Sequence, residues 1–200
     1  LSPGFAPAVD RLARNWLECG QRLRALDLVK KAWIDNPHPD LLPLWDMLSP
    51  QNEKDPRAAR YRWFEWVQEF HPDKAFAVLA LAKVAIEEGL WGEARTALVR
   101  AEKLKPSAQL YRLWVMLEER TGNKPENIRQ WLDRASIAPA NKSWTCQKTG
   151  RHFDHWVAVV EPEGFFNTVV WGDRAVSSDT MTDPSRWLLD QSWYRKIRRG

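Results

Sequence analysis

Apolar and small side chains return every three or four residues through most of the first 140 positions. From Ala75 to Ala108 they fall at Val78, Leu81, Ala82 and Ala85, then at Ala94, Leu98 and Ala101. Gly89 and Gly92 lie between the two groups, and Pro106 follows the second. Such spacing places each group on one helix face, and the glycines and proline mark a turn and an exit, so the segment predicts a helical hairpin. Small residues at Ala82 and Ala94 let its helices approach closely, while Leu81 and Leu98 fill the seam. The pattern repeats from Ala6 to Pro39 with Val9, Leu12, Ala13 and Trp16, a turn at Gly20, then Ala25, Val29, Ala32 and Pro37. Trp16 and Trp33 are expected to face each other across this hairpin. A weaker copy, Gln109 to Lys142, keeps Val115, Ile128, Leu132 and Ala135, turns at Gly122 and carries Pro139 one position early. Between Leu41 and Lys74 only Leu44, Met47, Phe64, Val67 and Pro72 fit. There Leu48 and Arg60 stand where small side chains are wanted, and Ser49-Pro50 cuts the first helix short.

Pro37, Pro72, Pro106 and Pro139 close these hairpins at nearly even intervals. The interval, about 34 residues, is the signature of tetratricopeptide repeats. The expected fold is therefore all-α: a tetratricopeptide-like α-solenoid of about four helical hairpins over residues 1–142, with repeats at about 6–39, 41–74, 75–108 and 109–142. A helical bundle without strict repeats is the alternative. From Ser143 the helical period stops. Trp144-Thr145-Cys146, the run 155–160 and the run 168–171 read as short strands, separated by turns at Thr149-Gly150 and Pro162-Glu163-Gly164. They predict a small β ribbon over 143–172, followed by a tail over 173–200.

Charge changes the picture only at that tail. The net charge is +4, and the segment from Arg186 to Gly200 supplies all of it, with five basic residues (Arg186, Arg195, Lys196, Arg198 and Arg199) against Asp190. The body is neutral, which argues against nucleic acid as a partner, since phosphate contacts demand clustered Lys and Arg. A basic end of this kind fits either a solvated terminus or contact with anionic head groups or RNA. No stretch approaches the roughly 18 apolar residues of a membrane span, so the residues given are expected to be soluble. The chain opens at Leu1 in a polar turn and reads as an excised domain, with any membrane anchor upstream of it. Cys19 and Cys146 are too far apart in repeat order for a disulfide, and two unpaired thiols fit a reducing compartment. The chain holds 13 tryptophans. Their default role is packing, and a ligand-stacking cage is the sharper alternative.

The ribbon reads Trp144-Thr145-Cys146-Gln147-Lys148-Thr149-Gly150, then Trp156, then Val160 to Trp171 through Pro162-Glu163-Gly164-Phe165-Phe166. A helical-hairpin array followed by this ribbon resembles the C-terminal half of HemY-type proteins. There the ribbon runs Trp-x-Cys-x-x-Cys-Gly, a tryptophan, Cys-Pro-x-Cys-Gly and a closing tryptophan. Of the four family cysteines only Cys146 remains; Thr149, Val160 and Glu163 occupy the other places. A closed structural zinc site needs four nitrogen or thiolate ligands, so no metal or other cofactor is expected. Packing of Trp144, Trp156 and Trp171 with Phe165 and Phe166 is expected to hold the hairpins instead. The resemblance implies the cytoplasmic part of a bacterial inner-membrane protein, anchored by upstream helices and associated with late haem or porphyrin biosynthesis without established catalysis. Haem-pathway enzymes become candidate partners. Porphyrin or haem binding is one alternative, and regulation of a membrane protease in envelope lipid assembly, after similar solenoid-ribbon proteins, is another.

No nucleophile elbow, phosphate loop, zinc-protease motif or dinucleotide fingerprint occurs, and no catalytic residue is assigned. Glu87-Glu88 and Glu118-Glu119 read as solvated helix ends, and His38 and His71 as turn residues beside the repeat prolines. Function is then expected from surface. In a solenoid the first helices of successive hairpins line a concave face, and their second, fifth, ninth and twelfth positions predict a groove of Arg14, Leu17, Trp45, Phe76, Leu79, Lys83, Ile86, Leu110, Leu113 and Leu117. A mostly apolar groove suits an amphipathic helix or extended peptide of a protein partner.

Overall fold

The computed structural model describes residues 4–50, 56–122 and 125–172; the basic tail predicted over 173–200 lies outside them. Contacts divide the chain into a helical unit, Leu1–Asn141, and a ribbon unit, Lys142–Gly200.

The helical unit contains α1 (Ala6–Glu18), α2 (Arg22–Asp35), a 3-10 turn (Pro39–Leu41), α3 (Leu42–Met47), α4 (Pro56–Phe70), α5 (Ala75–Glu87), α6 (Trp91–Leu104), α7 (Ala108–Arg120) and α8 (Pro125–Ile137). Three first helices stop in the same way. Gly20, Gly89 and Gly122 follow α1, α5 and α7 with φ of +73, +76 and +67°, a left-handed conformation that costs glycine nothing. At the first two, the next amide reaches back into the helix: Gln21 N–H to the Trp16 carbonyl at 2.7 Å and Leu90 N–H to the Ala85 carbonyl at 2.8 Å. The chain reverses there, and α2, α6 and α8 pack back on α1, α5 and α7.

Burial follows the small-residue pattern in the first and third hairpins, two repeat periods apart. Ala13 and Ala82, Ala25 and Ala94, Val29 and Leu98, and Ala32 and Ala101 are buried pair by pair. Three departures from the expected seam occur, since Leu12, Met47 and Leu132 are exposed. Helix α8 carries no buried residue.

Helix α5 is the centre of the unit. Its Ala77, Leu81 and Val84 join a core built from α1 to α4, while Val78, Leu79, Ala82, Ala85 and Ile86 join a second core with α6 and α7. A helix packed on two sides needs apolar residues nearly all round, which the sequence from Ala75 to Ile86 supplies.

The second hairpin is irregular, as its sequence predicts. Helix α3 ends at Met47, just before Ser49-Pro50, because proline cannot continue a helix and disfavours helical backbone before it. Arg22 donates to the carbonyls of Met47 (3.3 Å) and Ser49 (2.8 Å), which closes that end. Trp45 of α3 is buried. Its ring is stacked against Trp63 (4.3 Å between centroids) and Trp66 (4.6 Å). Trp33 donates from its indole nitrogen to the Val67 carbonyl at 3.0 Å and meets the rings of His71 and Phe76 edge-on. Its ring partners thus belong to later elements, and Trp16 sits at the rim of the same core beneath Arg24.

In the ribbon unit, β1 (Ser143–Cys146) is central between β2 (His152–Phe153) and β5 (Val169–Gly172), both antiparallel to it, and β3 (Val159–Val160) pairs with β4 (Phe165–Phe166). The run 155–160 is extended strand only at its end, because 154–158 carries the chain from the first sheet to the second hairpin. Trp144 is buried and meets Trp171 edge-on at 5.3 Å. Phe166, expected in this aromatic packing, is 73% exposed.

Candidate functional site

The apolar groove is not on the surface. Trp45, Leu79, Ile86, Leu110, Leu113 and Leu117 are all buried, and all of these but Trp45 belong to the core shared by α5, α6 and α7. The reason is geometric: α5 and α7 pack directly on one another, so positions expected to point into a groove point into the neighbouring helix. Arg14, Leu17, Phe76 and Lys83 keep partial or full exposure.

A connected strip of side chains takes the groove's place. On α1, Arg14 clamps Asp10 through Nε at 3.0 and 2.8 Å, and its Nη1 lies 3.6 Å from the sulfur of Met47 on α3. Met47 is 51% exposed. The residue before it, Asp46, receives Arg60 of α4 through two parallel hydrogen bonds, 2.8 Å from Nε and 2.7 Å from Nη2. Arg60 also donates from Nη1 to Glu88 at 2.9 Å, and its Nη2 lies 2.9 Å from a carboxylate oxygen of Glu87, which Lys83 approaches at 3.7 Å. Hydrogen bonding to Asp46, with further bonds to Glu88 and Glu87, holds the Arg60 guanidinium above its ordinary pKa against the opposing effect of burial. Hydrogen bonding to Asp10 raises Arg14 likewise. Both stay charged at any pH the protein meets.

Two expectations are corrected here. Glu87 and Glu88 are ligands of Arg60 rather than merely solvated ends, and Glu118 is buried on α7. Arg60, a misfit in the repeat frame, joins α3, α4 and α5 at one point. Sequence reading missed Asp46, Arg60 and Met47 as a group, although the misfit at Arg60 was itself the available signal. Chemically the strip is a set of paired charges around one exposed thioether. It holds no nucleophile with a base beside it.

His38 and His71 are structural in different ways. His38 is buried and its Nδ1 accepts from the Asp40 N–H at 3.2 Å, capping the 3-10 turn. Burial lowers its pKa, an effect opposed by the Asp40 carboxylate. His71 Nε2 lies 2.8 Å from the Trp33 carbonyl.

Cys146 in the ribbon is buried, Cys19 at the end of α1 is exposed, and both thiols are free of disulfides. Burial pushes the Cys146 thiol up. Hydrogen bonds from the Thr149 and Thr168 hydroxyls and from the backbone N–H groups of Thr149 and Lys148 outweigh it, so its pKa falls below the ordinary thiol value. Among the described residues no group of three or more His, Cys, Asp or Glu is placed to hold a metal ion. Among them, too, no helix is long and apolar enough to cross a membrane.

No family model matches the chain, and no solved structure matches it. Over 185 residues, 90% of its length, it is 24% identical to a "Probable magnetosome protein Mms48" of Magnetospirillum gryphiswaldense. The chain spans 40% of that relative.

Proposed function

We propose that the helical unit is a tetratricopeptide-type stack that binds protein partners along the strip from Arg14 through Met47 to Lys83, with no catalysis of its own. We further infer that it is the cytoplasmic part of a HemY-like inner-membrane protein and organises enzymes of haem and porphyrin biosynthesis. The observation that carries the repeat reading is the pairwise burial of Ala13 with Ala82, Ala25 with Ala94 and Val29 with Leu98, all related by one constant shift along the chain. Stacked repeats bury a continuous core and leave one face of their first helices for ligands. Met47, exposed among paired charges, supplies an adaptable apolar contact on that face.

The test is affinity capture from a lysate of the source bacterium, comparing the wild-type chain with Met47→Glu and Lys83→Glu. Both positions are exposed, and urea denaturation of each variant checks that it keeps its fold. Haem-pathway enzymes enriched by the wild type and lost from both variants are the expected result. Partners retained by both variants refute the strip, and the absence of any specific partner refutes the scaffold. Haem titrated into the chain is expected to leave its Soret band unshifted.

A further inference from the structure

The two turns of the ribbon are built alike. Gly150 N–H returns to the Cys146 carbonyl at 2.8 Å and Gly164 N–H to the Val160 carbonyl at 2.8 Å, with φ of +70° at both glycines. Cys146 and Val160, the first residues of the turns, are both fully buried. In a ribbon with four ligands, a metal ties two such turns together through their first and fourth side chains. Here those side chains are Cys146, Thr149, Val160 and Glu163, which offer one thiol, one hydroxyl, no donor at all and one carboxylate. The Cys146 sulfur already lies 3.3 Å from the Thr168 hydroxyl. The set does not fit zinc, so another link must offset the entropy of holding the turns together.

Arg151, the residue after the first turn's glycine, reaches the second turn. Its Nη1 donates to the Glu161 carbonyl at 2.6 Å and lies 3.5 Å from a carboxylate oxygen of Glu163. The guanidinium carbon stands 5.5 Å from the centre of the Phe153 ring, which braces the side chain on β2. A charged donor on a carbonyl is among the stronger hydrogen bonds, and Glu163 stands at one of the three positions without a cysteine.

We propose that Arg151 is the clasp of the ribbon, making between the two turns the connection that a metal makes in four-ligand ribbons. The ribbon then depends on ionic strength and not on metal supply. The Arg151 side chain is half exposed, so the ion-pair part of the clasp is modest and screened by salt, while the carbonyl bond persists.

Amide hydrogen exchange on the whole chain tests this at Gly150, Gly164 and Asn167, whose N–H groups are bonded within the ribbon. A chelator is expected to leave the wild-type rates unchanged. Arg151→Met, which keeps an aliphatic side chain over Phe153, should speed exchange at Gly164 and Asn167 by roughly three- to tenfold, and Arg151→Lys by less, because one ammonium cannot reproduce the guanidinium geometry. Thr149→Cys, Val160→Cys and Glu163→Cys made together should take up one zinc, after which Arg151→Met has no effect on exchange. Stoichiometric zinc in the wild type, chelator-sensitive exchange, or unchanged rates in Arg151→Met would each overturn the proposal.

Discussion

Trp45 and Trp63 exchange hydrogen bonds: each indole N–H donates to the other's backbone carbonyl, at 3.0 and 2.8 Å, while their rings lie stacked. The pair binds the short α3 to α4 where the repeat pattern fails. Trp45→Phe keeps a ring in the stack but loses one donor, and should cost about 1–2 kcal/mol. Trp45→Ala opens a buried cavity and should cost about 3–5 kcal/mol. Urea denaturation measures both. The near-ultraviolet circular dichroism of coupled indoles should weaken in Trp45→Phe even where the fold is intact.

Arg60 should matter more than a surface arginine does. Its removal leaves Asp46, Glu87 and Glu88 facing one another, so Arg60→Ala is expected to destabilise by about 1–3 kcal/mol. Arg60→Lys should recover only part of this, since an ammonium cannot make the parallel pair of bonds to Asp46. A double-mutant cycle with Asp46→Asn should give a coupling well above ~0.5 kcal/mol. Additive effects would mean that the two side chains are close without being energetically linked.

The hairpins were legible because their signals are local: glycine after the first helix, alanines at the close approach, proline at the exit. The groove was not. Leu79 and Ile86 on α5 are apolar because they meet the next pair of helices, and apolarity alone does not distinguish a residue awaiting a partner from one already covered by its own chain. The same ambiguity runs through Leu110, Leu113 and Leu117. Arg60 was legible only as an exception, since the carboxylates that explain it come from the helices before and after its own, Asp46 on α3 and Glu87 and Glu88 at the end of α5. In the ribbon the presence of a single cysteine, Cys146, was plain from the sequence. The reach of Arg151 to Glu161 and Glu163 was not, because it depends on how two turns are set against each other.

His38 makes stability depend on pH. Its ordinary pKa is 6.5, and burial lowers the folded value. As pH falls through about 6.5 the unfolded chain takes up a proton that the folded chain refuses, so stability is full above that point. It is then lost as pH falls toward the folded pKa, with a slope of at most ~1.4 kcal/mol per unit from this one group. His38→Asn retains an acceptor for the Asp40 N–H and removes the titration. Urea midpoints of the two proteins should diverge below about pH 6.5 and run parallel above it.

Placing the same charge at two positions separates the core from the surface. Leu79 is 4% exposed and Met47 is 51% exposed. An arginine at Leu79 would be buried without a partner, so Leu79→Arg should cost about 3 kcal/mol or more, and Leu113→Arg should behave alike. Met47→Arg should change stability by no more than about 0.5 kcal/mol. Loss of partner binding in Leu79→Arg therefore says nothing about a groove unless the variant is shown to be folded. Loss in Met47→Arg, with an unchanged urea midpoint, would locate recognition on the strip. Equal midpoints for Leu79→Arg and the wild type would instead return Leu79 to the surface and restore the apolar groove.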